Sequence, residues 1–573
     1  MDTVSNLSVA TAQTLNGNPS YATIGKPHLD YFGGVTRQSE QEEIEKLAKE
    51  CIDSDVRLAL VTFFQKRDCR EGAGERKPFL FSMKLLSQEL RRTFYSLIPE
   101  YGYWDDLNGF ARNISEDQDF IAEMFAKRLL ANIQSYLTNS DADHNLEKWI
   151  ATQKQEDDNK WKAVSRILKA FNQLCTAGID VRYAVRSKVR VVLQNRLQKI
   201  DPNTVIPEEG DIKITSSLPE VQLFIKRTKH LIDKINKLPI KITHLTAAGY
   251  RHWCSFSRCY HEVIEHFKST KEWDLIIYSG VPSIAYDRTK KQFSAHDGMR
   301  FKAHEEAVKK GESKINVGRL MPYQLIEQTA SESRDLQWNE IVKETRKFYQ
   351  NIPAGNPFRP ENAIHVADIS GSMTSSRTRS VRPIDVSLSL AILMAQVGNR
   401  PLYTFSGQTK KYMPTWKSLT EAQQTIKDQN CNTNFRGLID RIYDDCVKDA
   451  DKKRVPPSDC FPSSIYVYTD GGFDQMCQED PKTAAKYIQG KFGAFQKVPV
   501  FIFWNVAGNV KDFAAHVTMP GIVQVAGFSK DLFKIFLTLT DVSSIGPEIF
   551  FRTAVMTDRY QPIFDLYDQV VKK

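Results

Sequence analysis

Apolar positions recur every three or four residues through the first half of the chain and give way to short, nearly continuous apolar runs in the last third. Residues 41–51 and 53–64 read as two short helices, with Val56, Leu60, Phe63 and Phe64 on one apolar face. The same period predicts helices over 77–97, 117–137, 160–175, 181–197, 218–237 and 246–268, and nothing from 39 to 268 alternates as a strand would. Helix pairs in series predict a HEAT-like array, interrupted at the acidic, apolar-poor stretch 141–158. In the last third, apolar runs at 363–367, 401–405, 464–469, 498–504 and 521–525 alternate with helical patterns, as a doubly wound sheet requires. The expected fold is therefore multidomain, an N-terminal all-α HEAT-like array followed by a C-terminal α/β doubly wound domain of Rossmann type. The Pro- and Gly-rich segment 352–360 is the expected hinge between a helical domain over 28–351 and an α/β domain over 361–573, and the polar, aperiodic residues 1–27 read as a flexible arm.

The first apolar run of the last third ends in Asp368-Ile-Ser370-Gly371-Ser372, so an acid and two hydroxyls gather where a buried strand meets a tight loop. In an open α/β sheet that end of the strands is where ligands bind. Two further oxygen donors follow at matching places. Thr433 stands in Asn432-Thr433-Asn434 just ahead of a helical run, and Asp470 closes the apolar run 464–469 before two glycines. One carboxylate with hydroxyls suits a small hard cation that keeps positions for water or a ligand, so Asp368, Ser370, Ser372, Thr433 and Asp470 are the expected ligands of Mg²⁺ or another divalent cation. Helix capping by the two serines is the alternative use of such a loop.

Composition adds a size and a setting. At 573 residues the chain exceeds what one hydrophobic core usually supports, and 41% hydrophobic with 26% charged residues is an ordinary globular balance. No apolar run approaches the roughly 20 residues that cross a bilayer, and residues 1–17 lack the features of a signal peptide, so a cytoplasmic protein with no membrane partner is expected. Nine scattered cysteines agree with a reducing compartment. His252, Cys254, Cys259 and His261 are potential zinc ligands, yet on a helix they form two pairs about 200° apart that one ion does not collect.

Charge is placed unevenly. From 181 to 260 there are 15 Lys or Arg against 6 Asp or Glu, an excess of nine that equals the formal +9 of the whole chain. Arg182, Arg186, Lys188 and Arg190 fall on one predicted helix and Lys226, Arg227, Lys229, Lys234 and Lys237 on another, a basic surface able to attract the phosphates of RNA. Solvated helix faces are the bland reading of the same residues.

The Asp-x-Ser-x-Ser, Thr and distal Asp series resembles the metal-ion-dependent adhesion site of von Willebrand factor A domains, which implies Mg²⁺ held from three loops. Over more of the chain, Tyr250-Arg251, Val281-Pro282-Ser283, His296-Asp297, the 366–373 loop, Asn432 to Phe435, Tyr468 to Asp470, Phe473 to Gln475, Phe501 to Asn505 and Gly527 to Ser529 resemble the domain-of-unknown-function 2828 family of plants, fungi and large DNA viruses. If a virus encodes the chain, a virion or virus factory is its expected place. The order of domains is similar to that of the Ro ribonucleoprotein autoantigen, a TROVE helical ring joined to a von Willebrand A domain, which implies RNA binding.

Catalysis is not expected. There is no Gly-rich Walker loop, no His-Glu-x-x-His and no Gly-x-Ser-x-Gly, and Asp368-Ile-Ser370 lacks the second acid of phosphoryl-transfer aspartate loops. Two non-enzymatic functions stay open: an RNA-binding ribonucleoprotein component with a Mg²⁺-dependent ligand-binding domain, or a protein-interaction scaffold whose metal captures an acidic residue of a partner.

Overall fold

The computed structural model of the chain describes residues 11–14, 16–125, 264–374, 381–426, 432–474, 483–495, 498–539 and 545–571. They fall into two compact units, Met1–Gly102 with Val317–Lys573, and Tyr103–Asn316.

The first unit is built on a mixed six-stranded sheet. Its strands are β3 (Ala363–Asp368), β4 (Leu402–Phe405), β5 (Thr409–Tyr412), β6 (Ser464–Thr469), β7 (Val500–Asn505) and β8 (Ile522–Ala526), in the order β5-β4-β3-β6-β7-β8. All neighbours are parallel except the edge pair β4 and β5. The central strands are buried along their whole length because helices cover both faces, which is why they read as unbroken apolar runs. On one face Ile364 and Val366 pair with Ile465 and Val467 and pack under Leu438 and Ile442 of the Phe435–Lys453 helix and Ile488 of the Ala484–Phe492 helix. On the other face His365 stacks on Tyr466 with ring centroids 4.9 Å apart, and its Nδ1 lies 2.8 Å from the Tyr468 hydroxyl. Burial pushes the His365 imidazole down to about 3, so it sits neutral in this layer. The Pro383–Gly398 helix lies there too, with Ser387 Oγ donating to Tyr468 O at 3.0 Å.

The helices Pro27–Gly34, Gln41–Ser54, Val56–Arg67 and Arg76–Lys84 belong to this unit. Gln524 in β8 donates to Gly33 O, and Lys66 Nζ donates to Phe32 O and to Ala526 O at 2.6 and 2.8 Å. Lys66 is fully buried, which pulls its ammonium down to about 7. The Phe32 ring meets Phe550 and Phe551 at 5.8 and 5.4 Å. Of these helices, expected as the start of a separate helical domain, Pro27–Gly34 and Val56–Arg67 instead reach the β8 edge, which would otherwise offer unpaired backbone groups.

Two expectations about connecting segments also change. The arm expected to be flexible is, from residue 11, a small hairpin of β1 (Thr11–Gln13) and β2 (Pro19–Tyr21) bonded to the α/β core, with Tyr21 and Phe513 exchanging backbone hydrogen bonds of 3.0 and 2.9 Å. The expected hinge 352–360 lies inside the first unit: Phe358 is buried against Phe536, and Asn356 Nδ2 donates to Leu537 O. A methyl added at Gly398 would stand 2.3 Å from Pro360 O. Gly398→Ala should therefore force the helix end off this segment and cost about 1–3 kcal/mol in a urea melt. A melt unchanged from wild type would show that the segment yields freely.

In the second unit the Ser283–His296 and Gly298–Lys310 helices share an aromatic cluster, with Tyr278 5.0 Å from Phe293 and 5.2 Å from Phe301. Among the described residues from 39 to 351 there is no strand, in keeping with a helical N-terminal region, and no described helix is long and apolar enough to cross a membrane. The predicted basic helices, with Arg182, Arg186, Lys188, Arg190, Lys226, Arg227, Lys229, Lys234 and Lys237, and the His252 to His261 cluster lie outside the described residues.

Candidate metal centre

The chain leaves β3 for β4 on one side and later returns to lay β6 on the other, so the sheet's topological switch point falls between the C-terminal ends of β3 and β6. Asp368 ends β3, and Asp470 directly follows β6. Asp368 is fully buried, its Oδ1 accepting from Ser370 N at 3.0 Å and its Oδ2 from the Thr469 hydroxyl at 2.7 Å. Burial first, and then the Asp470 carboxylate, push Asp368 well above the ordinary carboxylate range. Hydrogen bonds from the Ser370 hydroxyl and amide and from the Thr469 hydroxyl act in the opposite direction. Ser370 is buried, with its Oγ 3.2 Å from that of the exposed Ser372.

Thr433 arrives from a third loop. Asn434 caps the Phe435–Lys453 helix by accepting from Gly437 N, and its own amide donates to Ser406 O at the end of β4. Thr433 N donates to Asp474 Oδ2 at 2.8 Å, and Asp474 N returns a bond to Thr433 O at 3.0 Å, so the Thr433 loop and the Asp470 loop are clasped together. The Thr433 hydroxyl is buried and has no hydrogen-bond partner among the described residues. An orphaned buried oxygen costs about 1–3 kcal/mol, so something absent from the protein chain is its natural partner.

The Asp470 loop is held from several sides. Gly471 turns at φ +82°, where a side chain would be strained, and its amide donates to the Thr469 hydroxyl. Asp470 Oδ1 accepts from Gly472 N at 2.9 Å, and Asn509 Nδ2 donates to Asp470 O at 3.2 Å. The N-terminal hairpin then lies on the loop: Thr14 Oγ1 donates to Phe473 O at 2.7 Å, Asn16 Nδ2 to Gly472 O at 2.8 Å, and Gly17 bridges to Asp474.

Asp368, Ser370 and Ser372 are thus joined by a hydrogen-bonded loop, Asp470 is close enough to raise Asp368, and Thr433 is tied to the Asp470 loop through Asp474. Thr469, Asp474, Asn509 and the hairpin residues Thr14 and Asn16 are the positioning groups around them. Of these only Thr469 and Asp474 had a signal in the sequence, their nearness to Asp470. Among the described residues no three His, Cys, Asp or Glu side chains gather as metal ligands; the donors here are two carboxylates and three hydroxyls. That set is all hard oxygen, with the Asp470 carboxylate near the buried Asp368 and the Thr433 hydroxyl on the loop clasped to that of Asp470. The residues therefore fit Mg²⁺ or a similar cation.

No solved structure matches the chain. It is 23% identical over 571 residues, 93% of its own length and 86% of the relative's, to "Uncharacterized protein L728" of Acanthamoeba polyphaga mimivirus. Residues 362–557, which hold the whole candidate centre, match the model of the Domain of unknown function (DUF7788). Residues 221–350 match that of the Domain of unknown function (DUF2828), which takes in the Tyr250-Arg251, Val281-Pro282-Ser283 and His296-Asp297 motifs, whereas the motifs from 366 onward fall in the first match.

Proposed function

We propose that the α/β domain is a non-enzymatic, divalent-cation-dependent binding module of the von Willebrand A kind. Asp368, Ser370, Ser372, Thr433 and Asp470 hold Mg²⁺ directly or through water, and a carboxylate of a partner protein completes its coordination. The reading rests on one observation, the hydrogen-bonded gathering of the buried Asp368 with Ser370 and Ser372 at the C-terminal edge of the sheet. Binding at such a site is metal-dependent because the protein ligands alone leave the ion's shell open.

The second reading, an RNA-binding ribonucleoprotein component with a HEAT-like, TROVE-like array, rests on the excess of nine positive charges between 181 and 260. Chelation and salt separate the two, since phosphate contacts weaken steeply with salt whereas carboxylate capture disappears with the metal. The full-length protein, pulled down with and without chelator, is expected to release its protein partner on chelation. RNA that stays through chelation and leaves with salt would favour the ribonucleoprotein reading. Calorimetry is expected to show one Mg²⁺ bound by wild type and none by Asp368→Ala. Equal uptake by both would end the metal proposal.

A further inference from the structure

Far from the metal loop the first unit carries an open groove of about 590 Å³. It lies where the Glu332–Gln350 helix, the C-terminal end of the Pro383–Gly398 helix and residues 414–417 meet. The Pro383–Gly398 helix starts near the metal loop and has 16 residues, so the two sites stand about 24 Å apart along it. Lys343, Arg346 and Lys347 share one face of the Glu332–Gln350 helix at three- and four-residue spacing, and Lys417 faces them from the other wall. All four are exposed, and no carboxylate lines the groove.

Two ordinary uses account for only half of this charge. Lys343 pairs with Glu340 at 3.1 Å, and Arg346 Nη2 donates to Gln396 O at 2.8 Å, the single cation that a helix C-terminus favours. Lys347 and Lys417 have no side-chain partner among the described residues. With Lys343 paired, Arg346, Lys347 and Lys417 remain as like charges around one hollow and repel one another, so an anion is their natural complement. The floor is fixed: Gln396 accepts from Trp338 Nε1 at 2.8 Å and donates to Trp416 O at 3.1 Å, and Trp416 and Val342 are buried beneath the opening. With Arg346 anchored through one Nη, its remaining N–H groups stay able to grip a phosphate in two places.

We propose that this groove binds a compact ligand with two or three adjacent phosphates, of the size of a nucleoside di- or triphosphate. The volume falls in the range of small-molecule sites, and the amides of Asn339, Gln350 and Asn399 at the rim suit a polar ring or sugar. The site is independent of the metal loop.

The test is calorimetry of the full-length protein in chelator, which keeps the metal loop out of the result, with inorganic pyrophosphate, ATP and a short single-stranded RNA as separate titrants. Pyrophosphate and ATP are expected to bind with micromolar dissociation constants and to compete with each other. Joint Lys347→Glu and Lys417→Glu substitution, on exposed side chains, is expected to weaken both at least tenfold with an unchanged circular dichroism spectrum. Absence of heat from wild type, equal affinity in the double variant, or binding of the RNA that pyrophosphate does not displace would each overturn the proposal.

Discussion

Asp368→Asn is expected to make the metal-free protein more stable at neutral pH while abolishing its response to Mg²⁺. In the wild type the folded-state pKa of Asp368 lies above its unfolded value, because burial and the Asp470 carboxylate disfavour the charged form. The fold therefore holds a proton that the unfolded chain has released. This contribution is fully present below the unfolded pKa of about 4 and is lost as pH rises through the folded value near 7, at about 1.4 kcal/mol per pKa unit. An asparagine removes the pH dependence in that window. Its single oxygen can still accept from Ser370 N, and its Nδ2 can turn to the Thr469 hydroxyl, which now serves Asp368 as a donor. Metal reverses the sign, because a cation favours the carboxylate: Mg²⁺ uptake by wild type should release a proton and weaken as pH falls below 7. Denaturant melts of both proteins from pH 4 to 8, with and without Mg²⁺, check the prediction. Parallel wild-type and variant curves without metal would refute it.

A comparably large loss of stability is expected from Arg559→Ala. Its guanidinium donates to the fully buried Asp68 carboxylate at 2.9 and 3.2 Å and to Glu100 Oε1 at 2.8 Å, while resting over the Tyr101 ring at 4.8 Å. Asp68 would keep the Tyr560 hydroxyl and Arg70 N as donors and lose the only ion pair that it makes among the described residues. Stranding a buried carboxylate in this way costs about 3–5 kcal/mol. Asp68→Asn in the same background should recover part of that loss, since it removes the charge and keeps an acceptor. If the pair of substitutions is no more stable in urea than Arg559→Ala alone, the loss is one of packing over Tyr101 instead.

How far the sequence could be read followed the distance over which each feature is encoded. The strands β3, β6, β7 and β8 were legible because burial on both faces leaves a nearly continuous apolar run, a property of five or six neighbouring residues. Strand β5 was not, since Thr409-Lys-Lys-Tyr412 lies at the edge with two exposed lysines and carries no apolar pattern. The candidate donors Asp368 and Asp470 had a similar local signal, each closing such a run, and Thr433 stands just ahead of a helical run. The clasp between Thr433 and Asp474, 41 residues apart, and the hairpin bonds from Thr14 and Asn16 to Phe473 and Gly472, more than 450 residues away, have no local signature. The same limit explains the first helices. The period predicts the helices at 41–51 and 53–64 but not Pro27–Gly34, and a period does not say which surface a face will meet: Phe32 packs on Phe550 and Phe551, more than 500 residues away.

The joining of Met1–Gly102 to Val317–Lys573 also sets an order of events during synthesis. Asp68 and Arg559 are 491 residues apart, so at about 5–20 residues per second the arginine emerges roughly 25–100 s after the aspartate that it neutralises. Throughout that interval the helices that carry Phe32, Phe63 and Lys66 are complete, yet the β8 edge and the last helices that will bury them do not exist. The inserted stretch Tyr103–Asn316 is free to close on itself in the meantime. The unit that begins first is therefore the one that finishes last, and its exposed aromatic faces make the nascent chain, rather than the finished protein, the state most in need of a chaperone.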